Sequence, residues 1–257
     1  MRLTHIGTAT VLIEVGGLRL LTDPALDPAG QRYRFGTGLS SMKTLAPAIP
    51  AGGLGRLDAV LVSHDQHADN LDDAGRRALG QAGVVLTTRA GARRLGGNAR
   101  GLAPWESFTV ARGGERIEIT ATPARHGPPL SVPLVGPVIG FVLRWNGQRA
   151  GAVYISGDTV WFGALQELPR RFQIGTALLH LGGARFPITG KVRYTLDARD
   201  AVKMVKVIDP RTIVPVHYDG WTHFLEPVTA VETALQAEGL GERVRRLPRG
   251  VGVELED

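Results

Sequence analysis

Val60-Leu61-Val62-Ser63-His64-Asp65-Gln66-His67-Ala68-Asp69-Asn70-Leu71-Asp72 joins an apolar run to a dense polar cluster. The run from Ala59 to Val62 has the length and composition of a buried strand. Two imidazoles, two carboxylates and two amides then follow within seven residues. A helix-like segment begins near Asp69 to Asp72. Imidazoles and carboxylates crowded at the end of a strand are what a divalent metal site needs.

Upstream, Leu3 to Ile6, Thr10 to Val15 and Leu18 to Leu21 read as short strands, joined by turns at Gly7 and Gly16-Gly17. Residues 24–56 are rich in Pro and Gly with little periodicity, and read as one long functional loop. Within it, Arg32-Tyr33-Arg34-Phe35 suits either an anion, a ring or plain surface packing. Downstream, a helix is expected over Leu71 to Leu79 and a strand over Val84 to Thr87. Strands follow at Ser107 to Val110 and Ile117 to Ala121. Asn146-Gly147 marks a hairpin between Val138–Trp145 and Arg149–Ile155. A helix is expected near Trp161 to Leu168, and another from Asp197, a ready N-cap, to a stop at Asp209-Pro210. The strand Ile213 to Val216, the helix Val228 to Ala237 and the strand Val251 to Leu255 complete the chain. Strand-then-helix units recur in both halves without a linker, so residues 1–257 read as a single domain of two similar halves.

Four polar sites each follow an apolar strand: His64 to Asp69, His126, Asp158 and His217. A single His or Asp in such a place is more often a cap or a surface group. Four in succession, each beside Gly or Pro, are hard to attribute to chance, because loops at one sheet edge can converge on one ion.

These segments resemble the metallo-β-lactamase fold superfamily, in its branch of lactonase-like and phospholipase-D-like hydrolases. Thr4-His5-Ile6-Gly7-Thr8-Ala9-Thr10-Val11-Leu12-Ile13-Glu14 is similar to that branch's opening strands, and Leu21-Thr22-Asp23-Pro24 to the turn after them. The strand into Ser63-His64 resembles the one that carries the family's His-x-His-x-Asp-His loop. Pro123-Ala124-Arg125-His126, Ser156-Gly157-Asp158-Thr159 and Pro215-Val216-His217 resemble the next ligand segments, in order. The resemblance implies an α/β protein, a four-layer αββα sandwich with a metal cleft at one edge of its two sheets. It implies one metal on two loop histidines and His126, and a second on the loop Asp, the loop's final His and His217, with Asp158 bridging.

The loop departs from that pattern. Counting back from Asp69 gives Asp65 and His67 at positions one and three; counting forward from His64 puts Gln66 at position three. Either Asp65 replaces the first histidine, or an inserted residue leaves the role to His64, which the strand-to-loop junction favours. Asn70 stands where the final histidine belongs, and its amide oxygen is a poorer ligand. One or two divalent ions are therefore expected, Zn or the harder Mn or Fe, on His64, Asp65, His67, Asp69, Asn70, His126, Asp158 and His217. Asp69 and Asp158 are the expected catalytic acids and bases. His180 and His223 are candidate substrate contacts, His180 at the site rim and His223 orienting substrate or else completing the metal shell, with structural roles as their alternatives. Asp23 is expected to orient a ligand histidine, or simply to cap the turn before Pro24. His5 reads as a hydrogen-bonded strand residue.

Composition narrows the chemistry. There is no cysteine among the 257 residues, so any metal sits on N and O donors. The net charge of +6 leans towards a small, anionic substrate. Arginines are dispersed and only 6% of residues are aromatic, which argues against nucleic acid as a partner. No apolar run is long enough to span a bilayer and no signal-like segment opens the chain, so a cytoplasmic protein without a membrane partner is expected. A homo-oligomer is compatible with the sequence. The expected activity is metal-dependent hydrolysis of a small ester, lactone or phosphoester. Neither Gly-x-Ser-x-Gly nor a P-loop offers another route.

Overall fold

The computed structural model describes residues 1–36, 38–129 and 131–256, with the side chain of Leu134 left aside. Strands buried on both faces build two stacked sheets. The first contains β1 (Arg2–Gly7), β2 (Thr10–Val15), β3 (Leu18–Thr22), β6 (Leu57–Leu61), β7 (Ala82–Thr88), β8 (Ala99–Leu102) and β15 (Gly252–Glu254), in the order β15-β1-β2-β3-β6-β7-β8. The second contains β9 (Ser107–Arg112), β10 (Glu115–Pro123), β11 (Ile139–Trp145), β12 (Ala152–Ile155), β13 (Ile174–His180) and β14 (Thr212–Val216), in the order β14-β13-β12-β11-β10-β9. β4 (Arg32–Gly36) and β5 (Leu39–Met42) form a separate hairpin.

Alternate residues of each strand face opposite layers. Ile13, Leu20 and Leu61 of the first sheet meet Ile119, Phe141, Ile155 and Leu178 of the second in a central core. Their neighbours Leu12, Leu21 and Val60 turn outward to Ala78 and Leu79 of α1 (Asp73–Leu79) and Leu95 of α2 (Arg89–Leu95). On the far side, Tyr154, Ala177 and Leu179 pack on Met204 and Val205 of α5 (Ala198–Ile208) and on Val231 and Leu235 of α6 (Val228–Ala237). The short helices α3 (Val132–Val135) and α4 (Leu168–Arg171) lie in the connections. The chain is therefore the expected αββα sandwich. α5 begins as its sequence suggests: the Asp197 carboxylate accepts from the Asp200 N–H, satisfying a free helix donor.

Strand direction explains where polar loops gather. β3, β6 and β7 run parallel, as do β12, β13 and β14. β10 is antiparallel to β11, which is antiparallel to β12, so β10 points the same way as β12. The segments carrying Asp23, His64, His126, Asp158 and His217 thus leave carboxyl ends of strands at a common edge.

Three expectations need correction. The stretch 24–56 is not structureless: the β4–β5 hairpin forms inside it, its register shifting near Gly36. The helix expected over Trp161 to Leu168 is a 3₁₀ turn, Gly163–Glu167, because Pro169 and the glycine at its head shorten any regular helix; only α4 follows. β8 was not foreseen, since Ala-Arg-Gly-Leu carries almost no strand pattern and depends on pairing with β7.

Candidate metal centre

β6 ends in Val62-Ser63, and the backbone then turns so that both loop histidines face inward. His64 Nε2 lies 2.9 Å from His67 Nδ1, and His126 Nε2 lies 3.0 Å from the same atom. All three rings are buried. His126 Nδ1 donates to Tyr194 O at 2.7 Å, which leaves its Nε2 lone pair aimed at the other two rings. His64 Nδ1 is 3.0 Å from Ser63 Oγ. Burial, then the other imidazoles, push His126 down to about 3 and His64 well below its usual value; burial also lowers His67. Three neutral imidazoles with converging lone pairs form a ready cation site.

A second group adjoins it. Asp69, Asp158 and His217 bring a donor atom each within 4.8 Å of one another. His217 Nε2 is 3.3 Å from Asp69 Oδ2 and 3.5 Å from Asp158 Oδ1. Burial would raise the Asp69 carboxyl, but His217 and His223 outweigh it and hold it well below the usual range. Burial raises Asp158 to about 6. Burial acts against the His217 cation, yet the two carboxylates lift it to about 9. Asp69 Oδ1, Asn70 Oδ1 and Asp158 Oδ2 are buried acceptors without hydrogen-bond partners, and His217 Nε2 meets only the two carboxylates. Unsatisfied buried acceptors of this kind are costly unless something else binds them, and a divalent cation suits this donor set.

The backbone supports the arrangement. His217 adopts a left-handed conformation, φ 58°, and its N–H donates to Thr8 O at 2.7 Å. Strain of this sort is retained where surrounding contacts over-determine it. Gly157, φ 59°, lets the Asp158 loop pass beneath β11: a Cβ there would stand 2.5 Å from Ile139 O. Asp23 receives the Ser63 N–H at 2.7 Å on one oxygen and the His180 Nε2–H at 3.1 Å on the other. It therefore fixes the start of the histidine loop and ties the first sheet to the end of β13.

Several sequence expectations are adjusted here. Asp65 stands outside both groups: Arg94 grips its carboxylate at 2.8 and 2.5 Å, turning it away from His67. His64 occupies the three-histidine cluster in its place. Asn70 gives its Nδ2 to Asp158 Oδ1 at 3.2 Å and leaves its Oδ1 buried without a partner, so that oxygen remains a candidate, if weak, ligand atom. His180 is fully buried on Asp23, 5.5 Å ring to ring from His217, a placement that favours its structural alternative. Asp23 orients Ser63 and His180, not a ligand imidazole directly. His223 does reach the centre, with Nε2 3.0 Å from Asp69 Oδ2.

Above the two groups lies a narrow cavity of about 20 Å³. His67, Asp69, His126 and His223 form its floor; Phe35, Leu39, Val135, Ala184, Phe186 and Tyr194 form its walls. Phe35 from the β4–β5 hairpin packs on Phe186 at 5.5 Å and on the His223 ring at 4.9 Å. Of these wall residues the sequence singled out only Phe35, through its Arg-Tyr-Arg-Phe run. Phe186 and Tyr194 lie in a connection with no periodic signal. No helix among the described residues is long and apolar enough to cross a membrane.

Residues 18–218 match the family described as a Beta-lactamase superfamily domain. The UPF0173 metal-dependent hydrolase of Opitutus terrae is 30% identical over 269 residues, covering 99% of this chain and 100% of the relative. That of Pelotomaculum thermopropionicum is 29% identical, with the same coverage. Among solved structures, the isothiocyanate hydrolase from Delia radicum gut bacteria shares the fold with a TM-score of 0.82 at 24% identity, covering 100% of this chain and 99% of that one. A buried His/Asp centre at the shared edge of two sheets and this likeness along the whole length lead to one assignment: the chain belongs to the β-lactamase superfamily, with the metallo-β-lactamase fold, and within it to the family of the UPF0173 metal-dependent hydrolases.

Proposed function

We propose that the protein hydrolyses a small, uncharged ester, lactone or related carbon electrophile, with divalent cations held at the two groups. The observation that carries this reading is the cavity, whose lining includes no Lys or Arg and is mostly apolar. Its enclosed space is only about 20 Å³, room for about one water, so the apolar character of the walls and not the volume carries the reading. A phosphoester would bring negative charge against Asp69 and the phenyl rings, so the phosphoester and anionic alternatives lose support. The high net charge of the surface does not extend into the site. A polynucleotide reading fares no better, since so narrow an enclosure offers no groove that tracks a backbone.

His64, His67 and His126 would hold one ion, and Asp69, Asp158 and His217 the other. A cation bound there lowers the pKa of water towards ~7 and polarises the electrophile. The chain's own residues do the rest. Asp69 and Asp158 set the negative charge that balances the centre and accept hydrogen bonds from a water in the floor. Phe35, Phe186 and Tyr194 exclude bulk water and orient the apolar part of the substrate. The isothiocyanate named for the solved relative is one small, uncharged electrophile of this class.

The test is a paired screen of metal-loaded and chelator-stripped protein against short-chain esters, γ-lactones, isothiocyanates and phosphodiesters. Turnover of an uncharged class, lost on stripping and regained with Mn²⁺ or Zn²⁺, is expected. Turnover confined to phosphodiesters, or indifferent to stripping, would overturn the proposal.

A further inference from the structure

The second group lacks an imidazole in the position nearest to it in the chain. Asn70 presents its amide nitrogen to Asp158, and a nitrogen that donates to a carboxylate cannot also bind a cation. Its Oδ1 is buried without a partner, but an amide oxygen is a weaker ligand than an imidazole, so Asp69, Asp158 and His217, one donor each, leave the ion short of strong ligands.

His223 comes from a different place, the loop after β14, and its Nε2 reaches the same Asp69 oxygen that His217 approaches. The ring is 4% exposed and held on every side. It stacks on Phe186 at 5.1 Å and 8°, meets Phe224 at 4.5 Å, and rests against Phe35. Its Nδ1 lies 2.6 Å from Ser41 Oγ, which in turn contacts Thr222 Oγ1 at 3.1 Å. A serine hydroxyl can donate or accept. It can therefore satisfy Nδ1 in either tautomer, including the one that leaves the Nε2 lone pair free. His126 shows the same plan, with Nδ1 anchored on an oxygen and Nε2 directed at the cluster. Metal-ligating histidines are commonly fixed in this way.

From this arrangement we infer that His223 is a ligand of the second ion, supplying from the loop after β14 the imidazole that Asn70 withholds. The assignment rests on the metal-centre reading above. Ser41 is then a positioning residue for that ligand, which gives the β4–β5 hairpin a part in metal binding as well as in walling the cavity.

The experiment is a Co²⁺ titration of intact wild-type protein, His223→Phe and Ser41→Ala, followed by visible spectroscopy and by bound metal after gel filtration. Phenylalanine keeps the stack on Phe186 and removes both ring nitrogens. Wild type is expected to hold about two equivalents, in line with two donor groups. His223→Phe should keep about one, on the three histidines, with second-site affinity at least ~10-fold weaker; Ser41→Ala should weaken the same site by roughly 10- to 100-fold. Adding Asn70→His to His223→Phe should restore the second equivalent. Retention of the three-histidine ion reports that each variant is folded, and Ser41→Ala stands in should His223→Phe fail to fold. Unchanged second-site affinity in the variants overturns the inference, as does a wild type that holds a single ion. Full metal content with turnover lost and a shifted pH profile would make His223 a proton donor, and overturns it too. A wild type that binds no ion sinks the metal-centre reading itself.

Discussion

Replacing His67 with alanine is expected to reduce kcat/KM by about 10³-fold or more and to strip the first metal position. His67 Nδ1 lies 2.9 Å from His64 Nε2 and 3.0 Å from His126 Nε2, so its loss takes the shared member of the cluster and leaves only two imidazoles for that ion. A bound cation contributes several kcal/mol of charge stabilisation, and each ~1.4 kcal/mol is tenfold in rate. Circular dichroism should stay close to wild type, since the central core does not include this loop. Steady-state kinetics with metal analysis decides it: more than a tenth of the activity remaining, with metal retained, would place the chemistry elsewhere.

The second large effect concerns stability. Lys43→Met is expected to destabilise the protein by about 3–5 kcal/mol, because it leaves a buried carboxylate without its cation. Lys43 is 1% exposed, and its Nζ donates to Asp72 Oδ2 and to Ala25 O, each at 2.8 Å. Asp72 also accepts from Asp27 N at 2.6 Å and caps α1 through Gly75 N at 2.9 Å. Burial lowers the Lys43 ammonium from its usual value, with Asp72 opposing, so the pair is held under desolvation. The expected fall in Tm is roughly 10 °C for a chain of this size, at ~2–4 °C per kcal/mol. Lys43→Met with Asp72→Asn should recover part of it by removing the orphaned charge. A thermal melt of Lys43→Met within ~2 °C of wild type would show that Asp72 is satisfied by its backbone donors alone.

Much of this was readable in the residues, for physical reasons. Strands such as β6 and β13 are buried on both faces, so they show as continuous apolar runs. A ligand at the end of such a run is conspicuous, and His126, Asp158 and His217 were found that way. The loop was harder. Spacing alone could not separate His64 from Asp65, because the decision belongs to Arg94, a residue of α2 that grips Asp65 from far along the chain. Asn70 was legible as a departure but not its orientation, which Asp158 sets. His223 was visible as a loop histidine that could orient substrate or complete the metal shell, but nothing in the sequence chose between these and a structural role. Its partners Ser41 and Phe186 lie far away in sequence and are brought near by the β4–β5 hairpin, whose short strands barely stand out from the Pro- and Gly-rich stretch around them.

Both donor groups draw on the two halves of the chain. His64, His67 and Asp69 follow β6 of the first sheet; His126, Asp158 and His217 follow strands of the second. An occupied centre is thus a pair of covalent-like staples across the sandwich, in a chain with no cysteine to form one. His67 and His126 alone enclose a loop of 59 residues, long enough for closure to remove appreciable entropy from the unfolded chain. Cellular metal supply would then set not only how fast the protein works but how long each copy escapes proteolysis, so that the amount of enzyme follows the abundance of its own cofactor.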